Sequence, residues 1–487
     1  MHNKLQFDDQ VVVVTGGGRG VGKALAIMYA RRGARVVVND TGCSVDGEGK
    51  SRYHADSVVW KILSFGGLAI ANYSSTTEAR KLIYFTLTHF GKIDVLVCCA
   101  GIVENNLMGK MDLEMQNRCM DVHLYATRDL IVACWPYFCE RGYGRVAVAV
   151  DHESRYGLAY CTSKMATLGF IRSLSRHIDV EGIQLNAFTP IAITRINYKD
   201  HDEIQYSPKR VTPLVAYLTH SDCRESGGLF EVGGGRHNKI ELCEKIAFDF
   251  ERLAPDSLSS LERDLSLSGK TAMVSGGRLA DKISKLLARL GARLCTSHGT
   301  KIDILINCCD TLAETWSEMC KANLDRSYSL LNDAWPDLNP NARIVNIAPM
   351  TLDTPARETL DWALHGLSSA LTRNGIVANT LTGIIDDDPK KIAIWAACLL
   401  AHPHTNCNGV MMQVCDQRLS CLHLQRSQGL DLSQSNLVTW QYDETIKQHW
   451  SSLVSFEDQI RSTGSLSDLI PHLSPYPSPK STSTLDT

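Results

Sequence analysis

The sequence contains no uninterrupted apolar run approaching the roughly 18 to 20 residues that a bilayer-crossing helix requires, so no membrane span is expected. It also lacks an excess of basic charge. Fifty Lys and Arg against 53 Asp and Glu give a formal net charge of -3, which leaves no basic footprint for a nucleic acid. Although there are 17 cysteines, no Cys-x-x-Cys pair occurs, and the polar opening Met1–Gln10 has no signal-peptide core. Reduced thiols in a cytoplasmic protein are the expectation. The adjacent pairs Cys98-Cys99 and Cys308-Cys309 invite a metal reading, but neighbours on a strand point to opposite faces, so none is expected. The last residues, Leu485-Asp486-Thr487, are not the Ser-Lys-Leu peroxisomal address.

What is present is a chain of 487 residues, longer than one hydrophobic core usually organises. Short β-branched runs alternate with amphipathic stretches. Val11–Val14, Arg35–Val38, Ala69–Ala71, Val95–Cys98, Arg145–Val150 and Gln184–Phe188 read as strands of βαβ units. The segment Lys92-Ile93-Asp94-Val95-Leu96-Val97-Cys98-Cys99 then recurs as Lys301-Ile302-Asp303-Ile304-Leu305-Ile306-Asn307-Cys308-Cys309. Gly33-Ala34-Arg35, Trp135-Pro136 and Leu185-Asn186-Ala187 have later echoes in the same order. Duplication of a whole domain is inferred.

The expected fold is therefore α/β, with two tandem Rossmann-type doubly wound parallel sheets, the second degenerate and trimmed. The expected divisions are a cofactor-binding domain at 1–236, a charged, helix-forming connector at 237–267, a second domain at 268–458, and a Ser/Pro-rich disordered tail at 459–487.

After the first strand comes Thr15-Gly16-Gly17-Gly18-Arg19-Gly20-Val21-Gly22, followed by a helical run. Glycines there permit a tight turn and close approach to a pyrophosphate, and the helix N-terminus offers unpaired N–H groups to the anion. Asp40 closes the second strand where an acidic side chain accepts from the adenosine ribose, which favours NAD over NADP; the alternative is that it caps the following loop. Tyr160 and Lys164 stand one helical turn apart and share a face, an arrangement suited to proton transfer by a phenol beside an ammonium.

Together, the glycine loop, Asp40, Cys98-Cys99-Ala100-Gly101 and Tyr160/Lys164 resemble the short-chain dehydrogenase/reductase family. Val36–Asp40, Ala71-Asn72-Tyr73, Trp135-Pro136-Tyr137 and Gly227–Gly235 resemble, more narrowly, the tandem dehydrogenase domains of the fungal peroxisomal multifunctional β-oxidation enzyme, without its hydratase domain. The resemblance implies (3R)-hydroxyacyl-CoA dehydrogenase-like chemistry and raises a peroxisomal location beside the cytoplasmic one. It also implies a relay role for His123, and cofactor contacts for Cys99, Ile193 and Thr194. A serine that the family places ahead of the tyrosine is Asp151 here, which either replaces or disables it; Ser154 is a second candidate for that role.

An oxidoreductase interconverting a hydroxyl and a ketone is expected, on an acyl thioester or a ketone/alcohol, in specialised metabolism. The alternatives are a cyclase or isomerase without net redox, and a non-catalytic scaffold. In the second copy, Ser275-Gly276-Gly277-Arg278 has lost the later glycines, and Arg357 and Asp361 stand at the Tyr and Lys positions. An internal pseudo-dimer is expected, with a homodimer also open.

Overall fold

The computed structural model describes residues 5–103, 113–152, 156–178, 180–196, 203–249, 265–296, 299–309, 315–348, 355–373, 376–383, 401, 409–415, 418–431 and 445–455. Ser154, residues 250–264 of the expected connector and the tail at 459–487 lie outside them.

The first half alternates strands and helices as the periodicity requires. β1 (Val11–Thr15), α1 (Gly20–Arg31), β2 (Arg35–Asn39), α2 (Tyr53–Leu63) and β3 (Leu68–Asn72) are followed by α3 (Ala79–Phe90), β4 (Val95–Cys98), α4 (Leu113–Met120), α5 (Ala126–Arg141) and β5 (Gly144–Ala149). Next come α6 (Leu158–Arg176), β6 (Ile183–Ile191), α7 (Thr212–Leu218) and β7 (Leu229–Gly233). Each expected strand is present, with ends moved by up to three residues. β1 is buried along its whole length, as a β-branched run covered by helices on both faces should be.

Parallel pairing in the order β3-β2-β1-β4-β5-β6-β7 makes the chain turn back between β1 and β4. That reversal opens a crevice at the carboxyl ends of the strands, where open α/β sheets receive ligands.

The connector expectation is corrected. Arg236–Asp249 is not helical but a 14-residue strand, β8. Ile240 and Leu242 alternate with Lys239, Glu241 and Cys243, and both sides of the strand are offered backbone partners, so pairing overrides the helix preference of its Glu and Lys residues.

Beyond it lie β9 (Thr271–Ser275), α8 (Gly277–Arg289), β10 (Arg293–Leu294), β11 (Ile302–Cys308), α9 (Trp316–Ala334), β12 (Leu338–Ile347), α10 (Pro355–Arg373) and β13 (Val377–Gly383). β14 (Met411–Cys415), β15 (Arg418–Arg426) and β16 (Leu430–Asp431) complete the strands.

The expectation of two separate sheets is corrected as well. One sheet runs β3-β2-β1-β4-β5-β6-β7-β8-β15-β14-β13-β12-β11-β9-β10, with β16 beside β8. β7 and β14 would otherwise present open edges of unpaired N–H and C=O groups. β8 and β15 cover them and pair antiparallel with each other.

One hydrophobic core crosses this junction, joining Leu168 and Ile171 of α6 to Tyr328 of α9 and to Trp362 and Leu367 of α10. α6 and α10 approach closely at two glycines. A Cβ on Gly169 would stand 2.6 Å from the Glu358 carbonyl oxygen, and one on Gly366 would stand 2.7 Å from that of Cys161.

The repeated Lys-Ile-Asp motif has a structural use. Asp94 accepts the Val11 N–H at 2.7 Å, and Asp303 accepts the Thr271 N–H at 2.9 Å, each fixing the start of a neighbouring strand. Among the described residues, no helix is long and apolar enough to cross a membrane.

Candidate active site

The glycine loop is shaped by close backbone approaches. Gly16 has φ +62°, and a Cβ there would stand 2.9 Å from the Ala100 backbone; at Gly22 it would stand 2.2 Å from the Gly16 carbonyl oxygen. No side chain caps the first turn of α1, and Arg19 at its N-cap is extended, so the leading N–H groups of the helix are left for an anion.

Asp40 ties this loop to the one after β2. Its carboxylate accepts from the Gly18 N–H at 2.9 Å and the Gly42 N–H at 2.7 Å, with the Arg19 guanidinium 3.7 Å away. The loop-cap alternative is thus realised, while the same carboxylate also lines the cleft.

α6 brings Tyr160 and Lys164 to the end of β5. Lys164 Nζ donates to the Ala149 carbonyl at 3.0 Å, and the Tyr160 ring meets His123 and Tyr156 edge-on, with centroids 5.4 and 5.1 Å away. Burial, and then the Asp151 carboxylate, push the Tyr160 phenol well above its ordinary range. Burial lowers the Lys164 ammonium, and Asp151 opposes that shift.

His123 lies in a π-helical stretch, Asp121–Tyr125, between α4 and α5. Its Nε2 accepts from the Ile102 N–H at 3.2 Å. Its Nδ1 lies 2.7 Å from Ser163 Oγ, whose hydroxyl donates to the Tyr160 carbonyl at 2.9 Å. This network assigns the ring proton to Nδ1. Burial and the Lys164 ammonium hold the imidazole neutral. His123 therefore links the Ile102 backbone to α6 from behind the tyrosine.

A cleft of ≈ 670 Å³ collects Gly16, Arg19, Gly20, Val21, Gly22, Asp40 and Cys99 on one side, and Asp151, Tyr160, Lys164 and Thr194 on the other. Gly18, His123 and Ile193 stand outside its lining; the Ile193 N–H is taken by the Tyr206 carbonyl at 2.7 Å. Cys99 donates its backbone N–H to Thr15 Oγ1 at 3.2 Å, and burial pushes its thiol up to about 12.

Sequence reasoning missed Arg195 and Glu231. The Arg195 and Arg19 guanidiniums both reach the Cys43 carbonyl, at 2.8 and 2.6 Å, and so tie the loop after β2 to both sides of the cleft. Arg195 directly follows Thr194, and Glu231 is an acid inside the buried run Leu229–Gly233; either fact could have marked them.

A family model for short chain dehydrogenases matches residues 10–202. Peroxisomal multifunctional enzyme A of Dictyostelium discoideum is 36% identical over 52% of this chain and 59% of its own length. The peroxisomal hydratase-dehydrogenase-epimerase of Neurospora crassa is 39% identical over 49% of this chain and 28% of its own. A short-chain type dehydrogenase/reductase of Mycobacterium tuberculosis is 36% identical over 50% of this chain, and the match takes in 89% of that protein. The chain belongs to the short-chain dehydrogenase/reductase family.

The matched region spans little more than half of the Dictyostelium enzyme and under a third of the Neurospora one, and about half of this chain. The family's dinucleotide fits the residues present. The uncapped start of α1 suits its pyrophosphate, the glycines leave the loop free of side chains, and Asp40 stands at the end of β2.

Past the junction, the segments that echo the first-half motifs have other surroundings. Gly276 faces the Arg326 guanidinium, which a Cβ would meet at 3.0 Å. Arg357, partly buried, pairs with the buried Asp361 at 3.5 Å, and burial pushes the Asp361 carboxyl up to about 7.

Proposed function

We propose that the first half is a nicotinamide-dependent oxidoreductase interconverting a hydroxyl and a ketone, with Tyr160 moving the proton and Lys164 orienting the cofactor ribose. One observation carries this reading: a single cleft joins the glycine loop and Asp40 to Tyr160 and Lys164. The nicotinamide, when bound, accepts or supplies the hydride. Gly16, Gly20, Val21 and Gly22 would hold its pyrophosphate, Asp40 its adenosine ribose, and Thr194 its carboxamide end. The Asp40 carboxylate favours NAD over NADP, and Arg19 beside it softens that preference.

The raised Tyr160 phenol keeps its proton at neutral pH, so the cleft is better suited to giving a proton to a ketone than to removing one from an alcohol. Asp151 stands where the family's serine is expected and acts through its charge on Tyr160. The motif resemblance supports an acyl-thioester substrate of the hydroxyacyl type, and the word dehydrogenase in the Neurospora relative's name agrees with the reaction class.

The second half is read as a degenerate copy that serves as an internal partner. The mirrored strand order about the β8–β15 pair supports this, as do the matching roles of Asp94 with Asp303 and of Asn186 with Asn379, each Asn accepting a backbone N–H from the segment leading to the next strand.

Titration with NADH and NADPH, followed by nicotinamide fluorescence, tests the reading. Tighter NADH binding, weakened about tenfold or more in Asp40→Ala and kept in Tyr160→Phe, is expected. No binding of either nucleotide would refute the oxidoreductase and favour a redox-neutral isomerase using Tyr160 and Asp151.

A further inference from the structure

A second cavity, ≈ 240 Å³, lies where the two halves meet. Its walls include His152 and Ile240 from the first half and His365, Leu422, His423 and Arg426 from the second. It adjoins the catalytic cleft at two places. His152 lines both cavities, and Glu231, which lines the cleft, is gripped by Arg426 through Nε at 2.7 Å and Nη2 at 3.2 Å.

The two spaces differ in charge. The cleft mixes carboxylates, Asp40, Asp121, Asp151 and Glu231, with cations, whereas every titratable side chain lining the second cavity is an imidazole or a guanidinium, the Arg426 guanidinium already holding Glu231. The remaining side chains of its lining are apolar. At about 30 Å³ per water, the volume equals roughly eight waters, which is room for a carboxylate on a short alkyl stem. Imidazole N–H groups can donate to such an anion, and its charge in turn favours the imidazolium form.

We propose that this cavity is a binding site for the acidic end of the substrate, a carboxylate-bearing chain whose carbonyl or hydroxyl lies at Tyr160. The site rests on the oxidoreductase reading for its purpose but not for its existence. It gives the second half a direct part in substrate choice, because most of the lining comes from α10, β15 and the Gly409-Val410 segment that leads into β14. Orientation follows from the lining: the histidines receive the acidic end, and His152, common to both cavities, joins it to the cleft that Tyr160 lines.

Calorimetric titration of the full chain with hexanoate and with hexan-1-ol, without nucleotide, tests the cavity on its own. Saturable hexanoate binding is expected, with hexan-1-ol at least tenfold weaker. His365→Leu and His423→Leu should each weaken hexanoate at least fivefold while leaving NADH affinity and the unfolding temperature unchanged. His423 is exposed on β15, so its replacement tests the site even if the α10 variant folds poorly. Equal binding of the acid and the alcohol, hexanoate binding indifferent to both substitutions, or no saturable hexanoate binding would overturn the proposal. NADH titration of the same samples reads the cofactor assignment separately, so failure of one is not mistaken for failure of the other.

Discussion

At the scale of single residues, the proposed chemistry turns on Asp151, which lines the cleft with Tyr160 and Lys164. Burial, and then its carboxylate, push the Tyr160 phenol above its ordinary range. Replacing it with the serine expected there removes a negative charge and restores a hydroxyl donor for the substrate oxygen. Asp151→Ser is predicted to move the pH profile of alcohol oxidation to lower pH and to raise kcat by on the order of 10²-fold, the usual worth of one preorganised donor. An unmoved profile would show that Asp151 does not act on Tyr160. Much of this was legible in the chain, because Tyr160, Lys164 and Asp151 stand at readable spacings. Placing His123 behind the tyrosine was not, since its partners Ile102 and Ser163 come from segments remote in sequence.

At the scale of elements, α6 carries Tyr160 and Lys164 and is held from outside by the second half. Tyr328 of α9 donates to Thr162 Oγ1 at 2.6 Å and lies 3.2 Å from the Leu158 carbonyl, in the turns that present Tyr160. Gly366 lets α10 lie against Cys161 and Met165. Gly366→Ala gains about 1 kcal/mol of helix propensity, but the added Cβ meets backbone, and overpacking of this kind costs about 1 to 3 kcal/mol. A net fall in stability of about 1 kcal/mol is expected in urea unfolding, accompanied by weaker turnover because α6 must shift; a stabilised and fully active variant would contradict the packing. The helices themselves could be read from periodicity. β8 could not, because Glu and Lys favour helix until two neighbouring strand edges claim the backbone.

For the whole molecule, folding buries groups that resist protonation. His237 on β8 is completely buried, and burial, with the Arg210 guanidinium, lowers its imidazole from the ordinary 6.5 to about 4. The folded value lies below the unfolded one, so the unfolded chain takes up a proton that the folded chain refuses. The stability associated with neutral His237 is complete above pH 6.5 and is lost as the pH falls toward 4, by about 3 kcal/mol. Urea midpoints from pH 7.5 to 4.5 should fall more steeply for the natural chain than for His237→Leu; parallel declines would remove His237 as a cause of acid sensitivity. The sequence by itself determined the strand and helix alternation of the first half, the glycine loop, the Tyr160/Lys164 spacing and the repeated motifs, because each depends on neighbours a few residues apart. Only the tertiary structure decided that both halves share one sheet and one core, and that His365, His423 and Arg426 stand beside the catalytic cleft. Those outcomes depend on which edges and faces remain to be buried once the local elements have formed.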